Sequence, residues 1–263
     1  MKRELQLFFA ALTFYTRLPA PKVFRQNHTE QLAEGIRYLP LIGWIVGVVA
    51  SVVYTGADYL FGQAVAVLMS MTTSVLLTGA FHEDGFADVC DGFGGGWAKD
   101  KILDIMKDSR VGAFALIGLI LLTALKLTAL HRLLPTGIAA FPQVLLILVT
   151  AHSLSRFSAI IVMSIYPYAR VAGSKSRPAV QKTGMISLLV AGSLSLIPII
   201  MLSIYCTEPS LILVILLPVA MALYLGWYFQ KWIGGYTGDC LGAVQQITEL
   251  MIYLSFIAIW KFI

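Results

Sequence analysis

The chain has 263 residues, of which 58% are hydrophobic and 13% carry a formal charge, and its net charge is +5. Soluble globular domains average about 25% charged and about 45 to 50% apolar residues, so this composition excludes a soluble enzyme and a disordered chain. The basic residues lie between apolar segments rather than in one stripe, which indicates topogenic loops and not a nucleic-acid partner. We predict a single membrane-embedded domain over residues 1–263.

The first predicted element is a short amphipathic helix that precedes any membrane span. Leu5, Phe8, Phe9, Leu12 and Tyr15 recur at helical spacing and share one side. An arginine and two prolines follow this stretch and keep it too short to cross a bilayer. We expect a helix that lies in the membrane interface.

Seven apolar stretches follow, and each approaches the roughly 20 residues that a helix needs to cross a bilayer. They cover residues 39–60, 64–81, 113–134, 137–166, 185–206, 211–229 and 250–263. The second contains Ser and Thr residues that are consistent with an interrupted helix, and the last is the shortest. The predicted fold class is all-α, a polytopic integral membrane protein with about seven transmembrane helices and an N-terminal interfacial helix.

The distribution of basic residues predicts the orientation of these spans. If the N-terminus is cytosolic, most of the 19 Lys and Arg residues fall in the N-terminal segment and in the connections after the second, fourth and sixth spans. Multispanning proteins keep such basic loops in the cytosol. We therefore expect a multi-pass protein of the cell (inner) membrane whose chemistry faces the cytoplasm.

The connection after the second span begins with four carboxylates in nine residues, from Glu83 to Asp91. On a helix, Asp84, Asp88 and Asp91 fall within about 60° of one another. Like charges this close at a membrane boundary favour a bound cation, and oxygen ligands suit Mg²⁺ better than zinc. The alternative is a solvated loop, which is the usual meaning of a charge run.

A second acidic set follows at a spacing of four residues, formed by Asp100, Asp104 and Asp108. A glycine-rich run between the two sets breaks the helix and allows the second acidic face to fold back on the first. We expect the opposed faces to hold one or two cations.

A glycine-rich segment, residues 234–242, lies at the cytosolic end of the sixth span. Glycines allow backbone N–H groups to approach a phosphate, and Asp239 can bind a metal or a ribose hydroxyl. The alternative is a tight turn between closely packed helices.

The chain also contains an arginine inside an apolar span, a histidine next to the acidic run, and three cysteines. Arg156 lies inside the fourth span, where a charge costs at least ~3 kcal/mol and needs a partner, either a phosphate or a carboxylate in a structural ion pair. His82 precedes the acidic run and is a candidate substrate ligand or a hydrogen-bonding residue at a helix end. Cys90, Cys206 and Cys240 are too far apart to indicate a disulfide framework, and we interpret them as packing residues.

Clustered carboxylates next to basic residues on one membrane face indicate a site for phosphate anhydrides. In phosphoryl transfer the protein mainly positions the reactants, while metal and cations stabilise the charge that develops on oxygen. These residues predict a membrane transferase with a nucleotide-activated substrate. The basic residues of this face are Lys107, Arg110, Arg170, Lys175 and Lys182.

Three segments resemble the signatures of the cobalamin synthase family, the adenosylcobinamide-GDP ribazoletransferases. The first is His82-x-Asp84-Gly85-x-x-Asp88-x-x-Asp91-Gly92, the second Met106-Lys107-Asp108-Ser109-Arg110-x-Gly112, and the third Gly234-Gly235-x-Thr237-Gly238-Asp239-x-Leu241-Gly242. Thr16-Arg17-Leu18-Pro19 and Tyr168-Ala169-Arg170 extend the resemblance over nearly the whole chain.

The resemblance implies that α-ribazole or its 5′-phosphate displaces GMP from adenosylcobinamide-GDP, with Mg²⁺, to give adenosylcobalamin or its 5′-phosphate. It implies Asp88, Asp91 and Asp108 as catalytic residues, with Asp108 as the general base. The implied metal ligands are Asp84, Asp88, Asp91, Asp104 and Asp108. The implied substrate-binding residues are His82, Lys107, Arg110, Arg156, Arg170, Thr237, Gly238 and Asp239. The lipid bilayer is the expected surrounding, and a homo-oligomer is possible.

The same residues are consistent with two alternative functions. The acidic run also follows part of the CDP-alcohol phosphotransferase pattern, although its Ala-Arg pair is missing, which would make the chain a phospholipid enzyme. Aspartates and an intramembrane arginine can also line the path of a cation transporter. Transport sites lie near the bilayer midplane, whereas most of these carboxylates are predicted in cytosolic connections.

Overall fold

The computed structural model describes residues 2–24, 29–169 and 184–262, and within these ranges it contains eleven α-helices and no β-strand. The helices are α1 (Lys2–Tyr15), α2 (Thr29–Gly35), α3 (Leu39–Phe61), α4 (Gln63–Thr78), α5 (Phe81–Gly95), α6 (Lys99–Ile105), α7 (Ala113–Leu133), α8 (Phe141–Ile165), α9 (Met185–Cys206), α10 (Leu216–Ile233) and α11 (Gly238–Trp260). The predicted all-α class is confirmed.

The N-terminal helix α1 is present, but its buried side differs slightly from the predicted one. Leu7, Ala11, Leu12 and Tyr15 are buried, whereas Leu5 is 42% exposed. The helix is rotated in this way because it packs on α2 and on the start of α3, which cover the Leu7 side.

Six helical segments in the described ranges are long and apolar enough to cross a membrane, and α4 with α5 would make a seventh if the bent pair counts as one span. Five of the six correspond to predicted spans. The sixth, α11, begins at Gly238 and not at residue 250. The sequence pattern missed its first half because polar residues there, such as Gln245 and Glu249, are buried against other helices.

The second predicted span ends in a sharp turn. Gly79 and Ala80 both adopt left-handed backbone conformations, with φ of 67° and 58°, and α5 leaves α4 at 89°. The backbone N–H of Arg17 donates a hydrogen bond to Leu77 at 2.8 Å, and the Arg17 side chain covers Gly79. A Cβ atom on Gly79 would lie 2.2 Å from Arg17 Nε, so this position requires glycine.

Helices α8 and α11 form the centre of the bundle. Of the residues in their apolar stretches, 78% are buried in α8 and 72% in α11, against 28% in each of α7 and α9. Helix α3 packs along α8, and α11 packs against α5, α7, α8 and α10. Polar residues on α8 and α11 therefore face protein and not lipid.

Candidate active site

The first and third signature segments meet where α5 crosses the start of α11. A Cβ atom on Gly85 would lie 2.9 Å from the Asp239 carbonyl oxygen, and one on Gly242 would lie 3.0 Å from the His82 carbonyl oxygen. Only glycine allows the two backbones to approach this closely. The glycine-rich segment is thus a tight helix crossing, as one of its two interpretations predicted.

This crossing borders a cavity of about 240 Å³, which we name the aspartate cavity. Its wall brings together residues from five separate parts of the chain, including Tyr15, Asp84, Arg156, Tyr168, Gly238 and Asp239. Asp84 lines it and is exposed. Five of the predicted site residues, His82, Asp84, Arg156, Gly238 and Asp239, therefore share one pocket.

Thr237 fixes the start of α11. Its Oγ1 accepts a hydrogen bond from the Cys240 N–H at 3.3 Å, which is the geometry of an N-cap residue. Thr237 is completely buried, so its role here is to position Gly238 and Asp239. Substrate contact by Thr237 was predicted, and the aspartate cavity is lined by its two neighbours instead.

The chain after α8 is attached to this same segment. Tyr236 N–H donates to Pro167 O, and Ala169 N–H donates to Tyr236 O, both at 2.9 Å. The Tyr168-Ala169 pair is thereby held beside the glycine-rich segment. Arg170, Lys175 and Lys182 lie outside the described residues.

Arg156 is a buried cation without a direct carboxylate partner among the residues that the structure describes. It is 1% exposed, and its Nη1 donates to the carbonyl of His152 at 2.8 Å. Its Nε has no hydrogen-bond partner among these described residues. A buried donor left unsatisfied costs about 1 to 3 kcal/mol, and more when it is charged, so this guanidinium is poised to bind an anion. A structural ion pair, the alternative for Arg156, is not formed.

His82 lies next to Arg156 in the same wall. Its ring is 5% exposed and is stacked on Tyr15 at a centroid distance of 6.5 Å. Within the described part of the chain its Nε2 has no hydrogen-bond partner, so this nitrogen does not make the helix-end hydrogen bond that was the alternative.

A second cavity of about 250 Å³, which we name the inner cavity, lies between α4, α7, α8 and α11. Glu249 is its central group and binds Lys126 Nζ at 3.0 Å, Gln245 Nε2 at 2.7 Å and Tyr253 Oη at 3.1 Å. Gln246 accepts from Lys126 at 2.6 Å and donates to Glu83 at 2.9 Å.

Sequence reasoning missed this network. Lys126 and Glu249 were not chosen as site residues, although both lie in apolar helices and are only 7% and 6% exposed. Charges inside membrane helices are rare and usually face a partner or a cavity, and that signal was available for both. The contacts of Gln246 with Lys126 and Glu83 could not be predicted from local sequence, because both partners are more than 100 residues away along the chain.

Asp91 has a structural role that was not predicted. Its Oδ2 accepts from the Gly112 N–H at 2.6 Å, and its Oδ1 accepts from the Ala115 N–H at 2.8 Å. These are free N–H groups at the start of α7, where a carboxylate stabilises the helix terminus. Both Asp91 oxygens are thus engaged by backbone and not arranged as metal ligands.

The second acidic set is on the surface, where its members form local pairs. Asp108 is held by Arg110, whose Nη2 lies 2.5 Å from Oδ2, and Asp104 lies 3.9 Å from Lys107. The Arg110 guanidinium lowers the pKa of the Asp108 carboxyl to about 2. An efficient general base has a pKa near the working pH, so this environment does not suit Asp108 for the predicted role.

The five predicted metal ligands do not converge. Among the described residues, no group of three or more His, Cys, Asp or Glu side chains is arranged to hold a metal ion. Asp88 is half-buried and has interactions of its own within the protein. The expected pair of opposed aspartate faces is therefore not formed, because Asp91 binds the start of α7 and Asp108 binds Arg110.

The second signature segment still packs on the first. Met106 is 3% exposed, and a Cβ atom on Gly92 would lie 2.4 Å from its Cγ. The backbone of all three segments is thus assembled around α5, while Lys107 and Arg110 line neither cavity.

Comparison with known proteins identifies the family. The family described as cobalamin-5-phosphate synthase matches residues 7–257. The chain is 39% identical to an adenosylcobinamide-GDP ribazoletransferase of Leptospira interrogans and 40% identical to one of Shewanella amazonensis, in each case over 99% of this chain and 98% of the relative. A Ralstonia pickettii protein of the same name is 40% identical over 98% of this chain and 97% of its own length.

No solved structure matches the chain. The family match covers nearly every helix, including α5 and α11, which contribute to the walls of both cavities. This chain belongs to the cobalamin-5-phosphate synthase family.

Proposed function

We propose that the chain joins adenosylcobinamide-GDP to α-ribazole, or to its 5′-phosphate, and releases GMP. The relatives are named for this transfer. The observation in the structure that carries the proposal is Arg156, a buried guanidinium without a carboxylate partner in the described residues, in the wall of the aspartate cavity. A diphosphate supplies the anion that this arginine lacks.

Phosphoryl transfer requires a protein to stabilise negative charge and to position the substrate, and the aspartate cavity contains groups suited to both tasks. Arg156 stabilises negative charge on the phosphoryl oxygens, and it does so more strongly in a buried site than in water. The Tyr168 hydroxyl, which has no partner among the described residues, is a further donor in the same wall. The His152 carbonyl holds Arg156, and the backbone hydrogen bonds of Pro167 and Ala169 to Tyr236 hold Tyr168, so that little reorganisation is needed when the substrate binds.

We propose Asp84 and Asp239 as the residues that hold Mg²⁺. Both line the aspartate cavity on the two helices that cross at Gly85. Mg²⁺ is commonly bound by one or two carboxylates together with substrate phosphates, so two aspartates are sufficient. When bound, the metal would neutralise charge on the diphosphate oxygens. This proposal keeps Asp84 from the five aspartates that the resemblance implies and adds Asp239.

The proposed location is the cell inner membrane, with the aspartate cavity open to the cytoplasm. The supporting observation is that this cavity lies where α8 ends and α11 begins, at the ends of the spans that the basic residues predict to be cytosolic.

The test is an assay of the purified protein in lipid nanodiscs with adenosylcobinamide-GDP and α-ribazole. We expect GMP and a cobalamin product in equal amounts, no GMP release when α-ribazole is omitted, and loss of turnover with EDTA that Mg²⁺ restores. Transfer from a CDP-alcohol donor instead, or ion flux in proteoliposomes without GMP release, would identify one of the two alternative functions.

A further inference from the structure

The inner cavity contains buried polar atoms that no described residue satisfies. Buried atoms without a hydrogen-bond partner among the described residues are found on His82, Glu83 and Arg156, and all three side chains line this cavity. His82 and Arg156 are each at least 95% buried. Since buried polar groups are almost always paired, these atoms indicate a polar ligand or bound water between them.

Another part of the cavity wall is apolar. Val46, Leu119, Leu122, Leu130 and Leu148 contribute to it, together with several Ser and Thr residues. A ligand that suits both parts has a flat apolar body and hydroxyl groups at one end. This is the chemistry of a nucleoside with a heteroaromatic base.

Three side chains separate the two cavities. His82, Arg156 and Gln245 line both of them, so a phosphorus atom bound at Arg156 is adjacent to both cavities. Phosphoryl transfer needs the attacking and leaving oxygens roughly in line, on opposite faces of the phosphorus. An acceptor in the inner cavity and a donor in the aspartate cavity can meet this requirement at Arg156.

Glu83 is the group on the inner side that can receive a proton. Gln246 Nε2 holds Glu83 Oε1 at 2.9 Å, and the other carboxylate oxygen, Oε2, is buried and without a partner. One oxygen is thus fixed, and the other, which no described residue contacts through a hydrogen bond, is available to a substrate hydroxyl.

We infer that the inner cavity binds the acceptor nucleoside, with its base against the leucines and its ribose hydroxyl on Glu83. This inference rests on the proposed function, and it adds an acceptor site and a general base to it. In the transfer, the acceptor O–H bond breaks and its proton passes to Glu83 Oε2. The acceptor oxygen forms a bond to the phosphorus at Arg156, and the bond between that phosphorus and the GMP oxygen breaks. GMP leaves with the electron pair, and Glu83 then loses its proton to solvent.

The first test fills the cavity. Ser74 lines the inner cavity and not the aspartate cavity. In Ser74→Phe we expect the KM for α-ribazole to rise at least tenfold while the KM for adenosylcobinamide-GDP stays within twofold. Thr123→Phe, from another helix of the same wall, provides a second variant if the first does not fold.

The second test removes the base. Glu83→Gln keeps an oxygen that accepts from Gln246, so we expect kcat to fall at least 100-fold with the α-ribazole KM within threefold. Glu34→Gln is the matched control, because Glu34 is a surface carboxylate paired with Arg3, and its kcat should be unchanged.

The outcomes separate the inference from the proposed function. If the wild-type protein releases no GMP in the presence of both substrates, the proposed function fails. If it does release GMP, but the filling variants change neither KM or change both equally, the inner cavity holds only water and the inference is overturned. A normal kcat in Glu83→Gln would show that Glu83 is not the general base. An azido-substituted α-ribazole should label peptides of α4 or α7, and labelling confined to α1 and α10 would also contradict the inference.

Discussion

Two charged regions of this protein differ in what their charges do. Around the α5–α11 crossing and the neighbouring part of α8, charged side chains are buried, and Arg156 and Glu83 keep atoms without hydrogen-bond partners in the described part of the chain. In the surface segment after α5, Asp104 and Asp108 are at least a third exposed and each is paired with a nearby cation. Charged residues are more closely spaced along the chain in the surface segment, yet the groups without hydrogen-bond partners among the described residues are in the buried region. Buried polar atoms without partners, and not a high density of charge, therefore identify the site.

The largest expected effect comes from breaking the buried ion pair. Lys126→Met leaves Glu249 buried without its cation, and we expect a loss of about 3 to 5 kcal/mol in unfolding free energy. Lys107→Met removes the cation of an exposed pair and should cost under about 1 kcal/mol. Unfolding in detergent measures both. A Lys126→Met/Glu249→Gln double variant should recover part of the loss, and equal effects of the two single variants would remove the contrast between the regions.

Arg156 should contribute more to catalysis than Arg110. We expect Arg156→Met to lower kcat/KM about 10² to 10³-fold, because it removes a preorganised charge from the transferred phosphoryl group. Arg110 is 88% exposed and bound to Asp108, so Arg110→Met should lose less than about tenfold. GMP release measures both, and the surface variant Arg3→Met is the control. A greater loss in Arg110→Met would place the surface segment in the site.

Asp84, in the aspartate cavity, and Asp108, in the surface segment, allow a matched comparison of the two regions. Asp84→Asn removes a carboxylate from the aspartate cavity, and we expect about a 100-fold loss of kcat/KM, equivalent to about 2.7 kcal/mol. The sequence predicts that Asp108→Asn abolishes turnover, whereas its surface pairing with Arg110 predicts a loss of under about tenfold. Equal losses in the two variants would support the sequence-based role of Asp108.

The helix crossing itself can be tested with two glycines of α5. Gly85→Ala places a methyl group 2.9 Å from the Asp239 carbonyl oxygen, and we expect a loss of about 1 to 3 kcal/mol in stability. Gly95→Ala meets only Ile105 Cδ1 at 3.5 Å and should be neutral or slightly stabilising. Melting temperatures in one detergent give the comparison. A normal melting temperature for Gly85→Ala would show that the crossing is looser than the structure has it.

The smallest effect concerns the start of α7. Asp91→Asn replaces one of the two oxygens that accept from Gly112 and Ala115 with an amide donor, and we expect a loss of about 1 kcal/mol. Because the role is structural, kcat per folded molecule should fall less than in Asp84→Asn. A loss of turnover without a loss of stability would return Asp91 to the catalytic residues.

The sequence was sufficient for the broad architecture and for the family. Long apolar runs predicted the spans, since the bilayer thickness sets helix length and can be read locally. The three signatures pointed to the family that the comparisons then established. Local spacing also placed Asp84, Asp88 and Asp91 on one helix face. It could not tell that Asp91 would bind the start of α7, which is 21 residues away.

What the sequence by itself determined is a basic, all-helical membrane protein of one family, because composition and short motifs carry that information. The tertiary structure decided which charged residues meet. Lys126 and Glu249 are 123 residues apart and Glu83 and Gln246 are 163 apart, and they become neighbours only because α5, α7 and α11 pack together. Hydrogen-bond partners of buried groups depend on packing in three dimensions, so the unsatisfied atoms that define the site cannot be read from spacing along the chain.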